Sequence, residues 1–155
     1  MICYFSYSSK TEAYAKALHR ITGLPLHELR SKLNKKGFLT MLKGGAMSVF
    51  RKESPVSNMP DAVGGDVYVC APVWAGSMAP PARFFLHHAD LAGKKVNILL
   101  TCASVADSDT YRTGALKELG QTGCNPGEVF VFATGRDIPD ASLAEDQLRQ
   151  MMPGA

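Results

Sequence analysis

The sequence predicts a three-layer α/β/α domain in which a five-stranded parallel sheet lies between two layers of helices. Short apolar runs of strand length alternate along the chain with segments whose apolar residues recur every three or four positions, as in amphipathic helices. These runs are continuous, which is typical of strands buried on both faces of a parallel sheet. With 155 residues, of which 46% are hydrophobic and 20% charged, the chain is predicted to form one domain, 1–155.

The N-terminal part is predicted to contain a strand, a helix and a second strand. Residues 1–5 are a continuous apolar run, and the helix predicted at 11–22 has an apolar face that includes Tyr14 and Leu18. Gly23 followed by Pro25 ends this helix. The run 24–29 is predicted to be a short second strand.

An irregular stretch at 30–65 is predicted to cover one edge of the sheet. Residues 38–42 are predicted to be helical, whereas the pairs Gly44–Gly45 and Ser54–Pro55 are interpreted as breaks. The basic residues of this stretch are interpreted as a solvated surface. They are Lys32, Lys35, Lys36, Lys43, Arg51 and Lys52.

The C-terminal part is predicted to repeat a strand and a helix three times. The strands at 66–71, 95–101 and 128–133 are rich in β-branched and aromatic residues, and Pro72 is predicted to end the first of them. The helices are predicted at 82–88, after Pro80–Pro81, at 110–119 and at 141–152. The last helix would be capped by Asp140 or Ser142 and have Leu143 and Leu148 on its apolar face.

Five such strands suit the order 2-1-3-4-5, in which ligands bind at the carboxyl ends of the strands where the winding direction switches. Three loops at these strand ends are therefore predicted to form the site. The loop at 6–11 combines hydroxyl side chains and Lys10 with the unpaired N–H groups of a helix start, which favours a phosphate group. The loop at 72–78 contains Trp74, the only tryptophan, whose flat ring suits a planar ligand. The third loop is 101–109.

Composition and charge narrow the classes of function. The net charge is +3, and no basic stripe interleaved with aromatic residues points to a nucleic-acid partner. The four cysteines have neither CxxC nor other metal-ligand spacing, so no metal site is expected. No apolar run approaches the length of a membrane span and no leader pattern precedes the first strand. We therefore expect a cytoplasmic protein with no nucleic-acid or membrane partner.

The segment from Ala71 to Leu86 resembles the P-V-W-A-G-x-x-x-P-P…F-L segment of many flavodoxin-family proteins, and the resemblance covers essentially the whole chain. The first loop is similar to that family's S/T-x-T-G-x-T phosphate loop, carried here by Ser6, Ser8, Lys10 and Thr11. Ser9 and Lys10 replace the usual glycine and the polar position after it.

This resemblance implies an FMN-binding electron-transfer protein in which no side chain is a catalytic residue, because the flavin itself carries the redox chemistry. It also implies that the Ala75–Gly76 peptide can bond the reduced flavin. The implied cofactor-binding residues are Ser6, Tyr7, Ser8, Ser9, Lys10, Thr11, Pro72, Val73, Trp74, Ala75, Gly76, Thr101, Cys102, Ala103 and Asp107.

Three other functions are to be compared with this one on the residues of the sequence. An FMN-dependent NAD(P)H or quinone reductase stays open, because flavodoxin electron carriers are usually acidic and this chain has no acidic residue between Val67 and Phe85. A domain of this fold that has lost its cofactor and serves as an interaction module also stays open. A response-regulator receiver is disfavoured, because Ser and Thr replace its acidic residues after the first strand and Gly135–Arg136 stand where its Lys would end the fifth strand. The expected partners are redox proteins or a nicotinamide or quinone electron donor or acceptor.

Overall fold

The fold was analysed in a computed structural model that describes residues 1–35, 37–135 and 137–152, with only the backbone of Phe38. The predictions on Lys36 and Arg136 lie outside the described residues. In chain order the elements are β1 (Ile2–Tyr4), α1 (Lys10–Thr22), β2 (Leu26–Glu28), a 3-10 turn (Lys32–Asn34), α2 (Phe38–Val49), β3 (Val67–Trp74), β4 (Ser77–Met78), α3 (Pro80–His88), β5 (Lys95–Cys102), α4 (Ser108–Leu119), β6 (Asn125–Ala133) and α5 (Ala141–Met151).

Five of these strands form a parallel sheet in the order β2-β1-β3-β5-β6. This confirms the predicted order 2-1-3-4-5 and the three-layer α/β class. The two-residue strand β4 pairs antiparallel with the end of β3 and was not predicted. Because β1, β3 and β5 are neighbours, the three loops that follow them lie together at one edge of the sheet.

The sheet is buried on both faces, as continuous apolar strands require. Alternate residues of β1 point to opposite sides, so that Ile2 and Tyr4 belong to one core and Cys3 and Phe5 to the other. The first core includes residues of α1 and α5, and the second includes residues of α3 and α4. Among the described residues, no helix combines the length and the apolar character needed to cross a bilayer.

The prediction that Pro72 ends the third strand is wrong, since β3 continues to Trp74. The last contact with β1 is the bond from the N–H of Phe5 to the carbonyl of Cys70, 3.0 Å long. Pro72 lies two residues later, beyond the end of β1, where the missing N–H of proline breaks no bond of the sheet. Its carbonyl instead accepts from the N–H of Ala79, at 3.0 Å.

The prediction of a break at Gly44–Gly45 is also wrong, because both residues lie inside α2. A methyl group on Gly44 would lie only 2.7 Å from Cε3 of Trp74 and closer still to Cζ3. Gly44 is therefore needed because α2 crosses directly over the Trp74 ring, and it does not end the helix. The rest of the excursion covers the β2 edge as predicted: the Asn58 side chain donates to the carbonyl of Glu28, at 2.7 Å.

The predicted apolar face of α5 is confirmed at Leu148 and wrong at Leu143. Leu148 is buried, but Leu143 is 48% exposed and the neighbouring Ala144 is buried in its place. Asp140 is the N-cap, and its carboxylate accepts from the N–H of Leu143 at 2.7 Å. Because the cap fixes where the helix begins, it also fixes which residues face the sheet.

A buried ion pair joins α3 to α4. Arg83 is 1% exposed and Glu118 5% exposed. The Nε of Arg83 donates to both carboxylate oxygens of Glu118, at 3.0 and 3.1 Å, and its Nη2 donates at 2.9 Å. The remaining Nη1 donates to the carbonyl of Lys52 at 3.3 Å. This one side chain therefore fixes two helices and the segment that follows α2.

Candidate functional site

The structure brings the three predicted loops together through two side-chain contacts. The hydroxyl oxygens of Thr11 and Thr101 lie 2.7 Å apart, which ties the start of α1 to the end of β5. The rings of Tyr7 and Trp74 meet edge to face, with centroids 5.6 Å apart. The first loop therefore contacts both the second and the third.

The first loop is shaped as an anion site by its backbone. Ser9 precedes α1 with a φ of 66°, in the left-handed region that glycine adopts most readily. The hydroxyl of Ser6 accepts from the N–H of Glu12, in the first turn of α1, at 3.3 Å. Within the described parts of the chain, the N–H groups of Lys10 and Thr11 have no partner and are available to an anion.

The side chains of the first loop differ in whether they are free to bind a ligand. Ser8 is exposed and Ser9 half-buried, so both hydroxyls can reach a ligand. Thr11 is 1% exposed and Thr101 3% exposed, and their hydroxyls already bond each other. The ammonium of Lys10 donates to the carbonyl of Gly135, in the loop after β6. The cation of Lys10 therefore lies beside that loop.

Replacing Ser9 by glycine tests this loop geometry. A non-glycine residue in the left-handed region costs about 1–2 kcal/mol, partly offset by the larger entropy that glycine loses on folding. We expect Ser9→Gly to raise the free energy of unfolding by up to about 1 kcal/mol in urea titrations. The matched control Ser8→Gly has no positive φ to relieve and should be neutral or destabilising. Equal losses in both variants would contradict the assigned backbone.

Trp74, at the end of β3, is the centre of the second loop. The edges of Phe5 and Tyr7 meet its ring, each with a centroid distance of 5.6 Å and an interplanar angle of 84°. Gly44 of α2 lies against the ring. Tyr7 is held in turn, because its hydroxyl donates to the carbonyl of Gly37 at 3.0 Å and accepts from the N–H of Gly37 at 2.9 Å. Phe5, Tyr7 and Gly44 thus fix the half-buried indole.

The remaining residues of the second loop form a hairpin turn. Pro72 and Val73 belong to β3, whereas Ala75 and Gly76 are the exposed turn between β3 and β4. Their φ values of 46° and 81° are those of a turn with two left-handed residues, which matches the twist of a tight hairpin. The peptide of this turn is therefore presented at the edge of the sheet in a fixed orientation.

The third loop offers fewer groups. Burial raises the pKa of the Cys102 thiol, which is protonated and donates to the carbonyl of Ser104 at 3.0 Å. Ala103 and Asp107 are exposed, and the carboxylate of Asp107 accepts from the hydroxyl of Tyr111 at 3.4 Å. No cluster of three metal-ligating side chains occurs among the residues that the structure describes. The thiol of Cys102 is thus already hydrogen-bonded within its own loop.

Two residues that shape the site were not predicted to do so. Gly44 and Phe5 both contact the Trp74 ring. Phe5 was predicted only as a strand residue, and Gly44 only as a break. A glycine within an otherwise apolar helical stretch was the available signal, since such a glycine often marks a close approach of another group.

Comparison with known proteins bears on the fold. No protein-family model and no curated protein matches the sequence. Among solved structures, a flavoprotein from Bacteroides eggerthii described as putative superposes with a TM-score of 0.75, with 96% of this chain and 94% of that chain covered at 15% identity. The chain has a flavodoxin-like fold.

Further flavodoxin-like structures superpose over most of the chain. A flavoprotein from Lactobacillus acidophilus, in complex with FMN, has a TM-score of 0.67 and 20% identity over 84% of this chain and 90% of that one. An NADH:FMN oxidoreductase in its apo form has a TM-score of 0.55 and 17% identity over 99% of this chain and 90% of that one. At these identities, the flavodoxin-like fold is what the superpositions demonstrate.

Proposed function

We propose that the three loops bind FMN and that the protein transfers electrons through it. One observation carries this proposal: the ring of Tyr7, in the same loop as the left-handed turn at Ser9, contacts the ring of Trp74 in the second loop. A phosphate suits the first feature and a planar ring system suits the second. The FMN of the Lactobacillus acidophilus flavoprotein supports the assignment by analogy of fold.

The described residues fit this group. The unpaired N–H groups of Lys10 and Thr11, with the hydroxyls of Ser8 and Ser9, would hold the phosphate. Trp74 and the Ala75–Gly76 turn would flank the ring system. When bound, FMN supplies one- and two-electron redox chemistry, while the chain binds it, orients it and excludes water from one side.

A titration with FMN tests this proposal. We expect the purified protein to bind one equivalent, measured by the change in flavin fluorescence. Trp74→Ala should weaken binding roughly tenfold or more, because an aromatic contact of this kind contributes about 0.5–1.5 kcal/mol beyond the area it buries. Trp74→Phe, which keeps an aromatic ring, should lose less.

Phe84→Ala is the control for general destabilisation. Phe84 is a half-buried aromatic residue of α3 that stacks on His88, outside the three loops. Its replacement should leave the FMN affinity unchanged. Absence of FMN binding by the unmodified protein would refute the proposal and favour an interaction module without a cofactor. Equal FMN affinity in Trp74→Ala and the unmodified protein would show that this ring only packs.

A flavin-dependent NAD(P)H or quinone reductase is the second candidate. The net charge of +3 favours it, because acidic surfaces are typical of flavodoxins that dock to basic redox partners. The fold shared with an NADH:FMN oxidoreductase is compatible with it. Anaerobic stopped-flow mixing of the FMN-loaded protein with NADH and with NADPH separates the two. Rapid bleaching of the flavin absorbance would favour the reductase, and slow bleaching with both would favour the carrier.

A further inference from the structure

Helix α2 turns its large apolar side chains to solvent. Leu39 is 79% exposed, Leu42 60%, Val49 60% and the following Phe50 72%. With the exposed Ala46, these residues recur at intervals of three and four and form one stripe, the outer face of α2. Among the described side chains of α2, the two buried residues, Gly44 and Ser48, are small, and the half-buried Met47 packs against the core. This pattern is the reverse of a core-facing amphipathic helix.

The helix is fixed in this orientation by contacts at three points. Its start is bonded to the hydroxyl of Tyr7 through Gly37, and Gly44 lies against Trp74. Near its end, the hydroxyl of Ser77 donates to the carbonyl of Ser48 at 2.8 Å. Turning the stripe inward would break all three contacts. The apolar stripe is therefore a surface of the folded protein.

Positive charge is concentrated in the segment of the chain that contains α2. Between Glu28 and Glu53 the sequence has seven Lys or Arg residues and no acidic residue. Since the net charge of the whole chain is only +3, the rest of the protein is net negative. One of these cations, Arg51, has its guanidinium 3.9 Å from Glu118, which is already bonded to Arg83. Six of the seven lie within the described residues, and all six are exposed: Arg30, Lys32, Lys35, Lys43, Arg51 and Lys52.

We propose that the outer face of α2 docks onto the surface of an anionic lipid bilayer. An exposed helix with an apolar stripe and flanking lysines can lie in the headgroup region of a bilayer. Its apolar side chains are then buried, and its cations lie against anionic headgroups. A second copy of this chain fits less well, because a two-fold contact would bring two basic rims together. The proposal departs from the expectation of no membrane partner, which considered only spanning segments.

Flotation with lipid vesicles tests the proposal independently of FMN. The full chain should float with vesicles of phosphatidylcholine and phosphatidylglycerol in equal parts, should float far less with phosphatidylcholine alone, and should be released by raised salt. The double variant Leu42→Asp/Val49→Asp should lower partitioning by roughly a hundredfold or more, since it removes two apolar side chains from the stripe and places two negative charges against the anionic headgroups. Both sites are exposed, so the thermal melting should stay near that of the unmodified protein.

Leu143→Asp is the matched control, because Leu143 is a leucine of α5 with 48% exposure. It should leave vesicle binding unchanged. No flotation with either vesicle, or flotation that the double variant does not reduce, would overturn the proposal. A dimer in solution that the double variant abolishes would also overturn it, by assigning the outer face of α2 to a second copy. If the chain floated with neither vesicle but bound an acidic protein through the outer face of α2, the proposal would be overturned and this face assigned to a protein partner.

Discussion

Replacing Arg83 by methionine should lower the free energy of unfolding by about 3–5 kcal/mol, the usual cost of leaving one partner of a buried ion pair without the other. Glu118 would lose three donated hydrogen bonds while the residue stays buried. The bond from Arg83 to the carbonyl of Lys52 would be lost as well. Urea titrations followed by circular dichroism would measure the change.

The double variant Arg83→Met/Glu118→Leu separates an unpaired charge from lost packing. Because neither buried charge remains, it should recover most of the stability that the single variant loses. A loss under about 1 kcal/mol in Arg83→Met, or a double variant as unstable as the single one, would show that the pair is not desolvated as the structure places it.

The largest effect expected at the candidate site comes from Gly44→Ala. The added methyl group would overlap the Trp74 ring, so α2 or the indole must move, at a cost of about 1–3 kcal/mol. Because Trp74 would flank the cofactor, FMN affinity should fall together with stability. The emission maximum of Trp74, the only tryptophan, should shift as its surroundings change.

Gly45→Ala is the matched control, since a methyl group there would meet nothing within 4 Å. As an ordinary substitution in a helix interior, it should raise the free energy of unfolding by about 0.5–1 kcal/mol and leave FMN affinity unchanged. If the two alanine variants behaved alike, the close crossing of α2 over Trp74 would be refuted.

The parts of the fold that could be predicted from sequence are those fixed by local patterns. Continuous apolar runs indicated the parallel strands and Gly23 indicated the end of α1, and the strand order placed the three loops of the candidate site side by side. The turn at Ser9 kept its left-handed backbone although the glycine of the resembled motif is replaced.

The parts that could not be predicted depend on partners distant in sequence. Gly44 resembles a helix break until Trp74, thirty positions later, is seen against it. Pro72 continues β3 only because β1 has already ended beside it. Nothing in the sequence near Arg83 indicates that its side chain will be buried against Glu118. The amphipathic pattern of α2 likewise does not indicate which of its faces is exposed to solvent.

The most direct test of the central claim is a titration of the apoprotein with FMN, followed by intrinsic tryptophan emission. Because Trp74 is the only tryptophan and lies in the second loop, its emission reports on this site alone. The proposed binding predicts saturable quenching that is complete at one equivalent of FMN. Emission that FMN leaves unchanged, or flavin binding that leaves Trp74 unquenched, would contradict the placement of the cofactor between these loops.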